Sequence, residues 1–266
     1  MRKSLLIVLL CAQAVTANVP GSSKASYPQS PRPLDSQTQR AIRVFLLHNR
    51  MLDTPQLLDT APYVVAAQAG RVLGANGERI YARGALSPAQ PSYAIVRQGK
   101  VFTDPVSQEL LGINLDDIGT ARFVAAGDVT TLAVLRVTQE IRTGDRLVGA
   151  QPSPDLSTLL VSAPAPGLTG RIIDVPRGVT RIGVLDAVIL NKGRRDGLQD
   201  GHLLAVTKAG ETVRDTVSGV PVQIPEEYAG TLLVFRTYEK LSYGLVLSAI
   251  RPLAVMDRFQ SPAPAQ

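Results

Sequence analysis

The chain has 266 residues, 45% hydrophobic and 19% charged, with a formal charge of +6, two histidines and a single cysteine. That composition can bury cores of domain size, while one cysteine excludes an internal disulfide framework and two histidines disfavour a metal centre. The charge is dispersed, at +2 over 18–60, 0 over 61–167 and +2 over 168–266, so no concentrated basic face points to nucleic acid.

Arg2 and Lys3, the apolar run Leu5 to Leu10 and the small residues Ala12, Ala14 and Ala17 read as a cleaved secretory signal over 1–17. Its apolar run is too short to span a bilayer of ~30 Å, and no other run predicts a transmembrane segment in the mature chain. The large Leu10 before Cys11 disfavours lipid attachment at that cysteine. The mature protein is therefore expected in the periplasm or associated with the envelope. Residues 18–36, rich in serine, asparagine and proline, read as a flexible linker.

In the helical segment 37–60, Ala41, Ile42, Phe45, Leu46 and Leu52 share one face. The spacing predicts an amphipathic helix over 36–49 with Ser36 as N-cap, then a short helical turn signalled by Thr54-Pro55. From Tyr63 the period changes. Strands are predicted over 63–68, 79–83, 93–97, 121–126, 131–138 and 146–148, with hairpin turns at Asn76-Gly77 and Gly99-Lys100, forming a first β domain over 61–150. Further glycine turn positions include Gly70 and Gly74.

The proline-rich stretch 151–168 reads as a linker with a strand at 157–161, and a second β domain follows over 169–258. Its strands are predicted over 170–175, 187–190, 203–206, 231–238, 242–250 and 253–255, with a charged excursion from Lys208 to Glu227 and a disordered tail over 259–266. The fold class is mainly β: two small β-barrel or sandwich domains behind a short amphipathic helix. Thr143-Gly144-Asp145-Arg146-Leu147-Val148 and Asp200-Gly201-His202-Leu203-Leu204-Ala205 both place glycine and a polar residue before an apolar strand. Duplication and independent turn signatures both explain that echo.

Catalytic patterns are sparse. No Gly-x-Ser-x-Gly elbow, phosphate loop or dinucleotide fingerprint occurs. The acidic pairs Asp116-Asp117 and Glu226-Glu227 read as solvated surface rather than a glycosidase pair, and His48 and His202 as structural. No cofactor, no metal ligand and no catalytic residue is predicted. The glycine-punctuated loop from Asn191 to His202 is the candidate binding site, with Asn191, Arg194, Arg195, Asp196 and His202 as its residues. Arg194 and Arg195 could offer forked donors to a carboxylate of a wall peptide or of a partner protein. The alternative is a long hairpin loop with hydrated charges.

The runs Ala61-Pro62-Tyr63-Val64-Val65-Ala66, Gly70-Arg71-Val72, Tyr81-Ala82-Arg83-Gly84, Gly127-Asp128-Val129-Thr130-Thr131-Leu132 and Glu140 to Leu147 resemble the C-terminal region of proteobacterial LysM-containing envelope proteins. So do Val188 to Val206, Glu211 to Asp215, Gly230 to Arg236 and Ser242-Tyr243, in order over about residues 40–258. The second β unit is also distantly similar to the C-terminal domain of the flagellar assembly protein T class. Residues 18–60 hold no glycine after Gly21 and none of the turns of a LysM module. The resemblance implies a non-enzymatic binding or scaffold module near the peptidoglycan, with cell-wall or envelope proteins as partners and weak or no direct peptidoglycan binding. Alternatives are an accessory subunit of a flagellar or secretion apparatus and a degenerate wall hydrolase.

Overall fold

The computed structural model describes residues 33–67, 77–149, 155–176, 178, 181–210 and 212–262. The expected signal peptide 1–17, the expected linker up to residue 32, the expected turn positions Gly70, Gly74 and Asn76, and residues 263–266 of the expected tail lie outside the described residues.

Helix α1 spans Ser36–His48 and buries Thr38, Ile42 and Phe45. Its cap is Asp35 rather than Ser36: the carboxylate accepts the Thr38 N–H at 2.9 Å and the Thr38 hydroxyl at 2.7 Å. A charged acceptor at that end also meets the positive end of the helix dipole. Strand β1 (Asn49–Leu52) follows at once and precedes the short helix α2 (Gln56–Asp59). The segment read as a helix followed by a short helical turn thus also contains a strand, because residues 49–52 find a free edge on a distant strand with which to pair.

The first barrel comprises β2 (Tyr63–Ala67), β3 (Arg79–Arg83), β4 (Ser92–Thr103), β5 (Leu110–Ala125), β6 (Thr130–Val137) and β7 (Arg146–Gly149). The sheet order is β1-β5-β4-β7-β2-β3-β6, and a further β5–β6 pairing brings it round on itself. The long β5 makes this possible by pairing with β1 through 113–116 and with β6 through 119–125. Gly99-Lys100 is not a hairpin turn; it lies within β4 at a register shift. The chain reverses over 104–109 instead, where Asp104 Oδ1 accepts the N–H groups of Val106 and Ser107, each at 2.9 Å. An aspartate that folds its own following backbone is a sufficient turn former without glycine.

A strap follows, containing a single 3-10 turn at Leu156–Thr158 and one parallel bridge between Ser162 and His202, in place of the strand expected over 157–161. The second barrel comprises β8 (Thr169–Asp174), β9 (Ala187–Leu190), β10 (Leu203–Lys208), β13 (Glu227–Thr237), β14 (Ser242–Ala249) and β15 (Arg258–Gln260). It closes in the order β10-β13-β14-β9-β8-β15. Between β10 and β13 stands a separate two-stranded ribbon of β11 (Thr212–Arg214) and β12 (Pro221–Gln223). Residues 259 and 260 are not tail. Phe259 is fully buried in the barrel, and β15 joins β8 to β10. Leu253, expected in the closing strand, makes only an isolated bridge to Ile182.

Burial explains the apolar runs. On β9, β10, β13 and β14, residues such as Val188, Leu204, Val234 and Val246 fill the second barrel, while Ile189, Leu203, Leu233 and Leu245 face outward. Those outward residues are covered by Ile42 and Phe45 of α1, Met51 of β1, and Phe102 and Leu111 of the first barrel. Strands covered on both faces read as unbroken apolar runs. In this joint Phe45 meets Phe235 and Tyr243 edge-on at 5.5 and 4.9 Å, and Tyr238 meets Tyr243 at 5.5 Å. The first barrel has its own aliphatic interior, including Ile80, Ile95, Ile118 and Leu132.

One turn recurs four times among the described residues, each time leading into a strand. A buried apolar residue comes first (Ile141, Ile182, Leu198, Leu253), and the residue three positions on has positive φ (Gly144, Leu185, Gly201, Met256). The next side chain accepts the N–H at the turn's start: Asp145 from Arg142 at 2.7 Å, Asp186 from Gly183 at 2.8 Å, Asp257 from Ala254 at 2.8 Å, and His202 Nδ1 from Gln199 at 3.2 Å. Two residues later a buried apolar side chain (Leu147, Val188, Leu204, Phe259) enters a barrel. The acceptor satisfies a backbone N–H that the reversal would leave unpaired.

Candidate functional site

The loop from Asn191 to His202 is not a hairpin loop. Strands β9 and β10 are separated in the barrel by β14 and β13, so the loop crosses the barrel end beneath the β13–β14 connection. Gly193 is required there, since a Cβ would lie 2.5 Å from Glu239 O and 2.6 Å from Tyr238 O. A 3-10 turn at Arg194–Asp196 follows, held by the Gly193 N–H donating to Asp196 Oδ2 at 3.0 Å.

One charged side chain of this loop, Arg195, reaches the first barrel. Arg195 donates from both terminal nitrogens to Glu109, at 2.7 and 2.6 Å, and Lys240 lies 2.8 Å from the same carboxylate. Hydrogen bonds from Arg195 and then Lys240 hold the Glu109 carboxyl down at about 2. The buried loop start is tied equally: Asn191 Oδ1 accepts the Arg171 N–H at 2.6 Å, and its Nδ2 donates to Asp104 at 2.8 Å. Burial opposes the charge on Asp104, but the Ser107 and Val106 N–H groups and Asn191 outweigh it and lower its pKa. Asp196 pairs with Lys192 at 3.0 Å, and Arg194 donates to Thr237 O at 3.2 Å. Lys100 pairs with Asp174 at 2.8 Å, and Glu239 N–H donates to Asp53 at 2.8 Å, across the same joint.

The five sequence candidates therefore divide. Asn191, Arg195 and Asp196 are each engaged within the chain, by Asp104, Glu109 and Lys192, Arg194 has its side chain largely exposed, and His202 belongs to a turn. Asp117 also departs from expectation. It is 5% exposed, not solvated, because the β5 face carrying it is covered by α1 and β6 side chains. Arg136 reaches it at 2.8 Å, Thr138 donates to it at 3.2 Å, and His48 lies 3.4 Å away. Among the described residues, no group of three or more His, Cys, Asp or Glu is arranged to hold a metal ion.

The ribbon shows the opposite behaviour, with no side chain from 212 to 227 buried among those described. Val213 stands opposite Val222 in the register, and Asp215 N–H donates to Val220 O at 3.0 Å, so Val213, Val220, Val222 and Ile224 share one face. They are 40%, 56%, 45% and 37% exposed, and Val217 at the tip is 94% exposed. Thr212, Arg214 and Gln223 occupy the other face, with Thr212 donating to Gln223 at 2.6 Å. Sequence reasoning saw only a charged excursion here. The available signal was the period-2 valine pattern through Pro221-Val222-Gln223-Ile224.

A cleft of about 310 Å³ lies between α1 and the second barrel, lined by Arg40, Val44, Phe45, Leu185 and Leu245. Its one acidic lining residue, Asp186, is engaged in its turn. No described helix is long and apolar enough to cross a membrane. In comparisons with known proteins, no family model matches the chain, and no curated protein matches it.

Proposed function

We propose that this chain is a non-enzymatic, exported binding or scaffold module of the cell envelope, and that the β11–β12 ribbon is its contact surface. The supporting observation is the ribbon's aliphatic face, which no other part of the described chain covers. A two-stranded ribbon standing alone gains little from its own packing, so covering its valines is the favourable step left to it. Its occupant is an aliphatic protein surface. Over 212–224 the charges are Arg214 and Asp215, which cancel, and no aromatic ring is present, so neither anionic lipid nor wall glycan finds a matching feature. Peptidoglycan binding is weak or absent on this reading, since the forked donor of Arg195 is engaged with Glu109.

Photo-crosslinking from position 217 in the intact envelope tests the assignment. One protein adduct is expected, reduced at least tenfold when Val220 and Val222 are both changed to Asp. Equal adducts from position 106, an exposed valine of the first barrel, or salt-resistant micromolar retention of the purified protein on sacculi, overturns it.

A further inference from the structure

We propose that the Leu198–His202 turn is an acid-sensitive latch, in which neutral His202 holds the strap at 155–162 against the second barrel and protonated His202 releases it. The proposal stands on the comparison of the four turns. In three of them the acceptor is a carboxyl oxygen, and a carboxyl group keeps an acceptor oxygen whether or not it carries a proton. In the fourth it is an imidazole nitrogen, which accepts the Gln199 N–H only while unprotonated. Protonation places an N–H donor against an N–H donor in a residue that is 7% exposed. The turn then loses its closing bond and buries an unsatisfied charge.

The strap depends on this turn. Ser162 N–H donates to Gly201 O at 3.0 Å, Leu203 N–H donates to Ser162 O at 2.8 Å, and Ser162 and His202 form the parallel bridge. Gly201 has a φ of +97° and lies directly beneath Leu160 O, so the turn and the strap share one close backbone contact. Leu156 of the strap is buried in the aromatic joint between the barrels. Release of the strap therefore uncovers apolar surface at the joint.

Burial lowers the pKa of His202 below its ordinary value, and the nearby Asp200 carboxylate opposes that shift. Asp200 also acts on Tyr238, just past the end of β13, as do Arg236 of β13 and Asp53 after β1. The strap residues 159–162 carry no titratable side chain, and Asp155 at its start binds Ser157 and faces Arg43. A histidine whose folded pKa lies below its unfolded value contributes fully above about 6.5. That contribution is lost as pH falls from there toward the folded value, by about tenfold in the opening equilibrium for each pH unit.

Amide hydrogen exchange between pH 7 and pH 5, corrected for intrinsic exchange chemistry, tests the latch. In the unmodified protein the amides of Gln199, Ser162 and Leu203 are expected to lose protection by about tenfold per pH unit once the pH is below about 6.5. The amides of Arg142, Gly183 and Ala254, held by carboxylates, are expected to stay constant and serve as controls in the same molecule. His202→Asn, whose amide oxygen accepts at any pH in this range, and His202→Asp, whose carboxyl keeps an acceptor oxygen in either protonation state, are expected to abolish the loss. Constant protection at Gln199, parallel loss at the three carboxylate turns, or an undiminished loss in both variants overturns the latch.

Discussion

Two stretches of the second barrel look alike in sequence: 191–202 and 208–227 both carry glycines and charges of both signs between apolar strands. They fold in opposite senses. The first lies across the barrel end with Arg195, Asn191 and Lys192 engaged by carboxylates, and the second projects with its valines uncovered. The difference follows from what stands opposite. Glu109 and Asp104 of the first barrel face the first stretch, whereas in the second only the ends, Lys208, Glu226 and Glu227, meet the barrel, and no described residue from 212 to 224 is buried. A charged loop is therefore a weak sign of an external binding surface, because charge is easily matched within the chain. Aliphatic side chains that the fold leaves uncovered are the stronger sign.

Substitutions sharpen this contrast. The largest effect is expected from Gly193→Ala, whose Cβ would press on two backbone carbonyl oxygens at 2.5 and 2.6 Å. A loss of about 2–4 kcal/mol in urea denaturation is expected, and a loss under ~1 kcal/mol would show that the loop gives way easily. The matching change on the ribbon, Gly219→Ala, meets no atom within 4 Å and has only the positive φ of 75° to overcome. Its cost is expected to be about 1 kcal/mol and confined to the ribbon.

Asn191→Ala comes next, since it removes the acceptor of the Arg171 N–H and the donor to Asp104 at a site 7% exposed. A destabilisation of about 1–3 kcal/mol is expected, and a neutral result would detach this residue from the joint. Glu109→Gln probes the pH dependence. The folded carboxyl is held at about 2 against an ordinary 4.5. Its contribution is thus complete above 4.5 and disappears as pH falls toward 2. Between those limits the unmodified protein should lose stability more steeply than Glu109→Gln, and coincident pH curves would dissociate Glu109 from the inter-barrel contact. The smallest effect is expected from Val220→Thr with Val222→Thr. Thermal stability should change by less than about 0.5 kcal/mol, whereas capture of the crosslinked partner should fall. A large loss of stability would mean that the ribbon face is covered from within.

Sequence alone determined the β architecture and most strand positions, since Arg79–Arg83 was legible from its own composition and its burial alternates as a half-buried strand requires. The unbroken runs Val188–Leu190 and Leu232–Phe235 were legible as strands, but that both faces of each are covered, and by what, is seen only in the fold. The site was far less legible. The residues Arg195 and Glu109 lie 86 positions apart, and local pattern carries no information about such a pairing. The turn repeat was half visible for a physical reason. Where Gly144 and Gly201 supply the positive φ, the two copies echo one another in sequence, but Leu185 and Met256 adopt the same conformation without the residue that signals it. Only the tertiary structure decided that His202 is equivalent to three aspartates, because that equivalence lies in the backbone hydrogen bond each side chain accepts and not in the residue type.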